Sequence, residues 1–322
     1  MLCPHGTRTR ISRLVEENRY AMTTTLTLPN VRRNVPLGPL TTYKIGGPAD
    51  LFVEVHSGDE LASAVRSARA SGVPWFLLGT GANILVGDKG FRGLVIHNQA
   101  NGVRLQGQRL TAESGATIAE LIELTATEGL SGLEHFAGIP SSVGGAIWQN
   151  LHFLAPDRVR TLFIEEVVES AVILDAADER RIVDRDYFEF GYDDSRLHHE
   201  EIVVLDVTFA LSPKPESEIR RQAEENLRWR AERQPSVEIY PSCGSVFQKI
   251  EGVGAGRLID QAGLKGHRIG GAQISPKHAN FLVNVGGATA SDVLELATMA
   301  KNEVRRQTGY ELVMEIGLVG EF

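Results

Sequence analysis

Cysteine is nearly absent from this chain: of 322 residues, only Cys3 and Cys243 carry a thiol. They lie far apart, with no second Cys or His at metal-ligand spacing, which argues against a disulfide framework and a zinc site and fits a reducing cytoplasm. Positive charge is also in deficit. With 33 basic against 41 acidic side chains the net charge is −8, so nucleic acid is not an expected partner, although a local basic patch for a nucleotide stays open. No apolar run approaches the ~20 residues that cross a bilayer, so a soluble protein with no membrane partner is expected. Missing too are a Gly-x-Gly-x-x-Gly opening a helix, a Gly-x4-Gly-Lys-[Ser/Thr] loop, internal repeats and low-complexity tracts. The Rossmann and P-loop readings therefore lose their main support. Residues 1–22 hold Arg8, Arg10, Arg13 and Arg19 without a continuous apolar stretch, unlike a secretory signal. They are expected to be a flexible leader, with Met22 an alternative start.

What is present is ordinary globular composition, 42% hydrophobic and 23% charged, in a length that suits two or three domains. The most informative stretch is Gly79-Thr80-Gly81-Ala82-Asn83-Ile84-Leu85, which follows the apolar run Trp75 to Leu78. A strand running into a glycine turn can aim successive backbone N–H groups at one anion, and a diphosphate is the natural guest; a plain β-turn is the competing account. A second such turn, Gly138-Ile139-Pro140-Ser141-Ser142-Val143-Gly144-Gly145, fits a dinucleotide-sized ligand that touches both.

Around these turns the pattern predicts an α+β fold. Ser57-Gly58-Asp59-Glu60 and Thr117-Ile118-Ala119-Glu120 read as capping boxes that start helices. Strands are expected at Asp50 to Val55, Trp75 to Leu78 and Gly93 to His97, with a hairpin across Gly107. From Val167 the texture is that of a largely antiparallel sheet, through Val168 to Leu174, Arg181 to Asp184 and Ile202 to Leu211. Ser212-Pro213-Lys214-Pro215 breaks the chain, and a charged helix from about Glu216 to Arg233 opens a last unit. That unit should hold a strand at Phe281 to Val285, a helix after Ser291 and a closing strand through Leu312 to Val319.

Ser245, in Ser242-Cys243-Gly244-Ser245-Val246-Phe247, is either an exposed acid or a turn residue, and no Gly-x-Ser-x-Gly elbow surrounds it. Glu315 interrupts an apolar run, where a bare carboxylate is costly to bury, so it is paired, at an edge, or functional. His198 and His199 read as solvent-facing or structurally bonded. Lys265 and Arg257 are candidates to neutralise a diphosphate, with surface ion pairs the competing account.

Taken together, Thr41 to Asp50, Gly79 to Leu85, Gly138 to Gly145, Cys243 to Phe247, Ala255 to Gly266, Ile274 to Asn284 and the segment around Glu315 resemble the UDP-N-acetylenolpyruvoylglucosamine reductases, in their shorter, second type, from about Leu40 to Gly320. The resemblance implies a two-lobed FAD-binding domain of the vanillyl-alcohol-oxidase (PCMH) type over 23–212, with lobes of about 23–100 and 101–212, and an α+β substrate-binding domain over 216–322. It implies NADPH as reductant, a UDP-sugar enolpyruvate as substrate, a monomer, and peptidoglycan synthesis as the setting. Ser245 matches the family's proton donor, and Glu315 the glutamate that stabilises the enolate-like intermediate. Lys44, Gly79, Thr80, Gly81, Ala82, Asn83, Ile84, Leu85, Gly115, Gly138, Ile139, Pro140, Ser142, Gly144 and Gly145 are expected at FAD, and Tyr192, Arg233, Lys265 and His278 at the substrate. No metal is implied.

The chain departs from that pattern in three places. Where the family reads Phe-Gly-Tyr-Arg, this sequence has Phe190-Gly191-Tyr192-Asp193, an acid in place of a cation. Where it reads Asn-Ala-Gly-Ala-Tyr-Gly, this one runs Asn150 to Arg160, and Arg158 or Arg160 is expected to supply the missing charge. Lys249 stands at a substrate-binding Asn position. Rival readings are another FAD-dependent oxidoreductase of this fold, such as a hydroxy-acid oxidase, and a non-catalytic flavin-binding regulator.

Overall fold

The computed structural model describes residues 26–250 and 252–322, so the expected leader at 1–22 lies outside the described residues. In the first lobe, strands β1 (Arg32–Pro36), β2 (Pro48–Val55), β3 (Trp75–Leu78) and β5 (Phe91–Asn98) form one sheet in the order β1-β2-β5-β3. β1 runs antiparallel to β2, and the two pairings of β5 are parallel. Helix α1 (Gly58–Ala70) starts where expected, its Ser57 hydroxyl accepting from the Glu60 amide at 3.2 Å. The reciprocal half of the box differs, because the Glu60 carboxylate takes the His56 amide at 2.8 Å. Leu61, Val65 and Ala68 bury its apolar stripe against Leu94 and Ile96, in a core that also holds Val203 and Leu205 of the second lobe. Arg69 fastens the same junction, donating to Asp178 at 2.6 Å and to Glu201 at 2.9 Å.

The second lobe is a five-stranded antiparallel sheet. The hairpin β6 (Val103–Gln106) and β7 (Arg109–Glu113) sits at one edge. Helix α2 (Ile118–Thr127) begins on a complete Thr117/Glu120 capping box, and the short helix α3 (Val143–Trp148), capped by Ser142, takes in Val143, Gly144 and Gly145 of the stretch expected to be the second glycine turn. A small ribbon of β8 (His152–Leu154) and β9 (Thr161–Phe163) then leads into β10 (Val168–Leu174), β11 (Arg180–Asp184) and β12 (Val203–Ala210). The order is β11-β10-β12-β7-β6. The apolar alternation predicted from Val167 onward is thus expressed as one face packed on Leu121, Phe136 and Ile147.

Helix α4 (Glu216–Arg233) lies along this second lobe, with Ile219 and Asn226 buried and Asn226 donating to the His135 carbonyl at 2.8 Å. The last unit comprises α5 (Ala255–Gln261), a three-stranded antiparallel sheet of β13 (Arg268–Ile269), β14 (Ala272–Ile274) and β15 (Leu282–Asn284), and α6 (Ala290–Thr308). Its core takes in Tyr43, Ile45 and Leu85 from the first lobe. The closing strand differs from expectation in length and partner. Only β16 (Gly317–Val319) forms, pairing in parallel with β4 (Ile84–Val86) of the first lobe, while Met314 bridges Phe247. The apolar run is divided because its two halves find edges in different units. No helix of the described residues is long and apolar enough to cross a membrane.

Candidate active site

The two glycine turns meet. β3 delivers Gly79 beside the start of α3, where a Cβ on Gly79 would lie 2.6 Å from the Ser142 hydroxyl, and Thr80 donates to the Pro140 carbonyl at 3.3 Å. Gly81 turns the chain at φ +63, and its carbonyl accepts from the Thr42 amide at 3.1 Å, which ties the turn to the Thr41–Tyr43 segment. Among the described residues, the amides of Gly79, Thr80, Gly81, Ala82 and Asn83 donate to no group of the protein. Successive unspent N–H groups at one bend form an anion cradle. The second turn is different: Val143 and Gly144 donate to Ala116 and Ser114, both at 2.8 Å, and Gly145 to the Ser142 hydroxyl at 3.3 Å. Gly144 and Gly145 therefore shape the wall rather than grip an anion.

Both turns open into a cavity of about 2190 Å³ that runs to the last unit. Single-ligand sites are usually on the order of 300–1,000 Å³, so this one has room for two ligands. Gly79 to Ile84, Gly138 to Pro140, Ser142, Gly144 and Gly145 line it, as do Tyr192, Ser245, Lys265, His278 and Glu315.

Six expected positions do not. Leu85 is fully buried in the core of the last unit, and Gly115 spends its amide on Ala100 at 2.8 Å. Lys44 reaches outward to the Pro39 carbonyl at 2.9 Å. Arg233 pairs with Glu232 at 2.8 Å and covers the Trp229 ring. Arg158 is packed over Phe153 and Trp229, whereas Arg160 stands exposed 3.9 Å from Asp157. The correction to the arginine expectation is that the loop from Asn150 to Arg160 closes back on itself through β8 and β9, holding both side chains off the cavity.

Three arginines line the cavity, Arg69, Arg257 and Arg230, and the last lies over the Phe153 ring at 5.4 Å and beside Gly138. Burial pushes its guanidinium down to about 10. Sequence reading passed over it, yet it continues the stripe Ile219, Ala223, Asn226 at helical spacing, which is the buried face of α4.

At the far end, Asn280 clamps the Ser245 loop: its side chain accepts from the Phe247 amide at 3.0 Å and donates to the Phe247 carbonyl at 2.8 Å. On the other side the Glu315 amide donates to the Val246 carbonyl at 2.9 Å, so Ser245 and Glu315 come from adjacent paired segments. Burial, reinforced by the charge of Asp193, pushes the Glu315 carboxyl up to about 8. Burial and the charges of Asp193 and Glu315 likewise raise the Tyr192 phenol. Lys265 pairs with Asp260 at 2.7 Å. Burial, then the Lys265 charge, lowers His278, whose Nδ1 accepts from the Asn280 amide at 3.3 Å. A hydroxyl beside a carboxyl that keeps its proton near neutrality can protonate and hydrogen-bond a developing carbanion.

An anion cradle at one end of a long cavity and an acid pair at the other describe a flavoprotein oxidoreductase. Residues 49–180 match the family described as FAD binding domain, and residues 234–319 match the UDP-N-acetylenolpyruvoylglucosamine reductase C-terminal domain. The reductase of that name from Moorella thermoacetica is 40% identical over 292 residues, 90% of this chain and 94% of its own. That from Rubrobacter xylanophilus is 39% identical over 91% and 96%. The crystal structure of UDP-N-acetylenolpyruvylglucosamine reductase from Thermus caldophilus superposes with a TM-score of 0.76 at 33% identity, covering 90% of this chain and 99% of that one. The chain belongs to the UDP-N-acetylenolpyruvoylglucosamine reductase family.

Proposed function

We propose that this protein reduces the enolpyruvyl double bond of UDP-N-acetylglucosamine enolpyruvate, using NADPH and FAD, to give UDP-N-acetylmuramate for peptidoglycan. The observation that carries this reading is the sharing of one cavity by Ser245, Glu315 and a bend with five unspent amides. The residues fit the cofactor: the Gly79–Asn83 amides would hold the FAD diphosphate against the wall made by Gly138, Ile139, Pro140 and Ser142, with Arg230 adding a cation. FAD, when bound, supplies the substrate's methylene carbon with a hydride taken from NADPH.

The chain's own residues deal with the charge that results. An electron pair displaced onto the carbon bearing the carboxylate is stabilised by hydrogen-bond donors and ended by a proton. Ser245 donates that proton. Glu315, with its carboxyl near 8, is still protonated at neutral pH and donates a hydrogen bond to the same region. Tyr192, Lys265 and His278 face the sugar nucleotide. We assign residues 23–212 to FAD binding and 216–322 to the substrate, with two exceptions: α4 packs on the second lobe and turns Arg230 toward the FAD, and β16 is lent back to the first lobe. A charged nucleotide sugar does not cross a bilayer unaided, which supports a cytoplasmic enzyme; we take it as a monomer serving cell-wall biogenesis, cell shape and division.

The test is spectroscopic. The FAD-loaded protein is mixed with NADPH without air and then with UDP-N-acetylglucosamine enolpyruvate. Bleaching followed by return of the yellow colour is expected. Bleaching that this nucleotide never reverses would replace the proposal with a flavin protein of other purpose.

A further inference from the structure

Asp193 is the most conspicuous group in the cavity that the proposed reaction leaves unused. It is 6% exposed, and neither carboxylate oxygen has a hydrogen-bond partner among the described residues. Its placement is enforced by the backbone. The Gly191 amide donates to the Asp194 carbonyl at 3.0 Å, Asn150 donates to the Gly191 carbonyl at 2.9 Å, and Ser195 donates to the Trp148 carbonyl at 2.9 Å. Asp193 itself sits in the left-handed region at φ +54. A carboxylate held this way without donors costs several kcal/mol unless a cation meets it.

A histidine is in reach. His152 Nδ1 lies 3.7 Å from Asp193 Oδ1 and 3.2 Å from the Asn150 carbonyl. Both neighbours of that nitrogen are acceptors, so Nδ1 carries a proton and Nε2 is the nitrogen free for other work. The ring is wedged between Phe163 at 5.2 Å and Tyr192 at 4.6 Å between centroids. His152, Tyr192, Asp193 and Glu315 all line the cavity. The titratable groups around the ring are Asp193, Glu315 across Tyr192, and Glu165, which accepts from Asn150 at 3.2 Å; the charge of Asp193 also acts on His198. Of the other cations lining the cavity, Lys265 is committed to Asp260 and Lys277 to the Ala231 carbonyl, while Arg230 stands over the Phe153 ring.

We propose that His152, held and charge-balanced by Asp193, is a catalytic residue whose protonated ring faces the substrate carboxylate while negative charge builds on it. The inference rests on the reductase reading above. It alters no atom count: the methylene carbon gains a hydride, the neighbouring carbon gains the Ser245 proton, and the imidazolium contributes only its charge and an N–H. Asp193 is then a positioning residue, since it acts through the ring.

Stopped-flow measurement of the two half-reactions on FAD-loaded protein decides it. For His152→Gln, bleaching by NADPH should stay within about twofold of the unaltered protein, while reoxidation by UDP-N-acetylglucosamine enolpyruvate should slow on the order of 100-fold. His152→Arg should recover at least about tenfold of that loss, and Asp193→Asn should slow reoxidation about tenfold. Reoxidation unchanged in His152→Gln overturns the inference, as does an equal fall in both half-reactions or no recovery in His152→Arg. Unaltered protein that bleaches and is never reoxidised overturns the reductase reading instead, and the inference with it.

Discussion

Asp193 and Glu315, 122 positions apart in the chain, place two carboxyl groups in one cavity, and the charge of the first adds to burial in pushing the second up to about 8. Glu315 should therefore lose its proton, and its hydrogen bond to the intermediate, as pH climbs through about 8. A kcat–pH profile should fall on that alkaline side. Asp193→Asn removes the repelling charge, so the limb should move to lower pH, and Glu315→Gln should erase it at a cost of about 100-fold in rate. A limb that stays put in Asp193→Asn would refute the assignment. The folded state holds this proton while the unfolded chain releases it near 4.5, so ligand-free stability should decline as pH rises between 4.5 and about 8.

Gly79→Ala should weaken FAD retention. The new methyl lies 2.6 Å from the Ser142 hydroxyl and displaces it from the Gly145 amide that it caps. We expect at least about a tenfold rise in the FAD dissociation constant and a loss of about 1 kcal/mol in stability from the damaged cap. Titration of the ligand-free protein, followed by flavin fluorescence quenching, measures the first. Unchanged affinity would contradict the role given to this bend.

Asp88 joins the first lobe to the last unit. Its carboxylate accepts from the Ala290 amide at 2.7 Å, the Ser291 amide at 3.0 Å and the Ser291 hydroxyl at 2.7 Å, at the start of α6. Burial works against its ionisation, but these bonds outweigh it and hold its pKa below the usual 3.8. The stabilisation is thus complete above the ordinary carboxylate range and is lost as pH falls through the lowered value. Asp88→Ala should cost about 1–2 kcal/mol near neutrality, read from urea unfolding, with the deficit shrinking in acid.

Tyr43→Phe tests the attachment of the Thr41–Asp50 motif. The Tyr43 hydroxyl donates to the Leu282 carbonyl at 2.7 Å in a fully buried site, and Asn284 donates back to the Tyr43 carbonyl at 3.2 Å. Removal of the hydroxyl should cost about 1–2 kcal/mol. Urea unfolding of the ligand-free protein should report it, with FAD affinity little changed.

Much of the site was legible in local pattern. The bend after β3, the helix starts at Ser57 and Thr117, Ser245 in its loop and Glu315 in an apolar run each depend on residues within a few positions of one another. The expectations that the structure revised involve longer reach. Leu85 belongs to the anion-turn motif in sequence, but β16 and the last unit bury it. Gly115 and Gly145 look like further backbone donors until their amides are seen to be spent on Ala100 and Ser142. Arg158 and Arg160 were near the right loop, yet the ribbon of β8 and β9 turns them aside while Arg230, on another element, enters the cavity.

By itself the chain's order of residues determined where helices start, which segments alternate, which bends can bare their amides, and that an acid stands at 193. Those properties arise from covalent neighbours, caps and short-range sterics. Tertiary structure alone decided which amides stay unspent, that a buried Asp193 is met by His152, and that the final strand pairs with β4 rather than within its own unit. Such outcomes depend on competition among segments distant in sequence for the same hydrogen bonds and the same dry space, and no local pattern records who wins it.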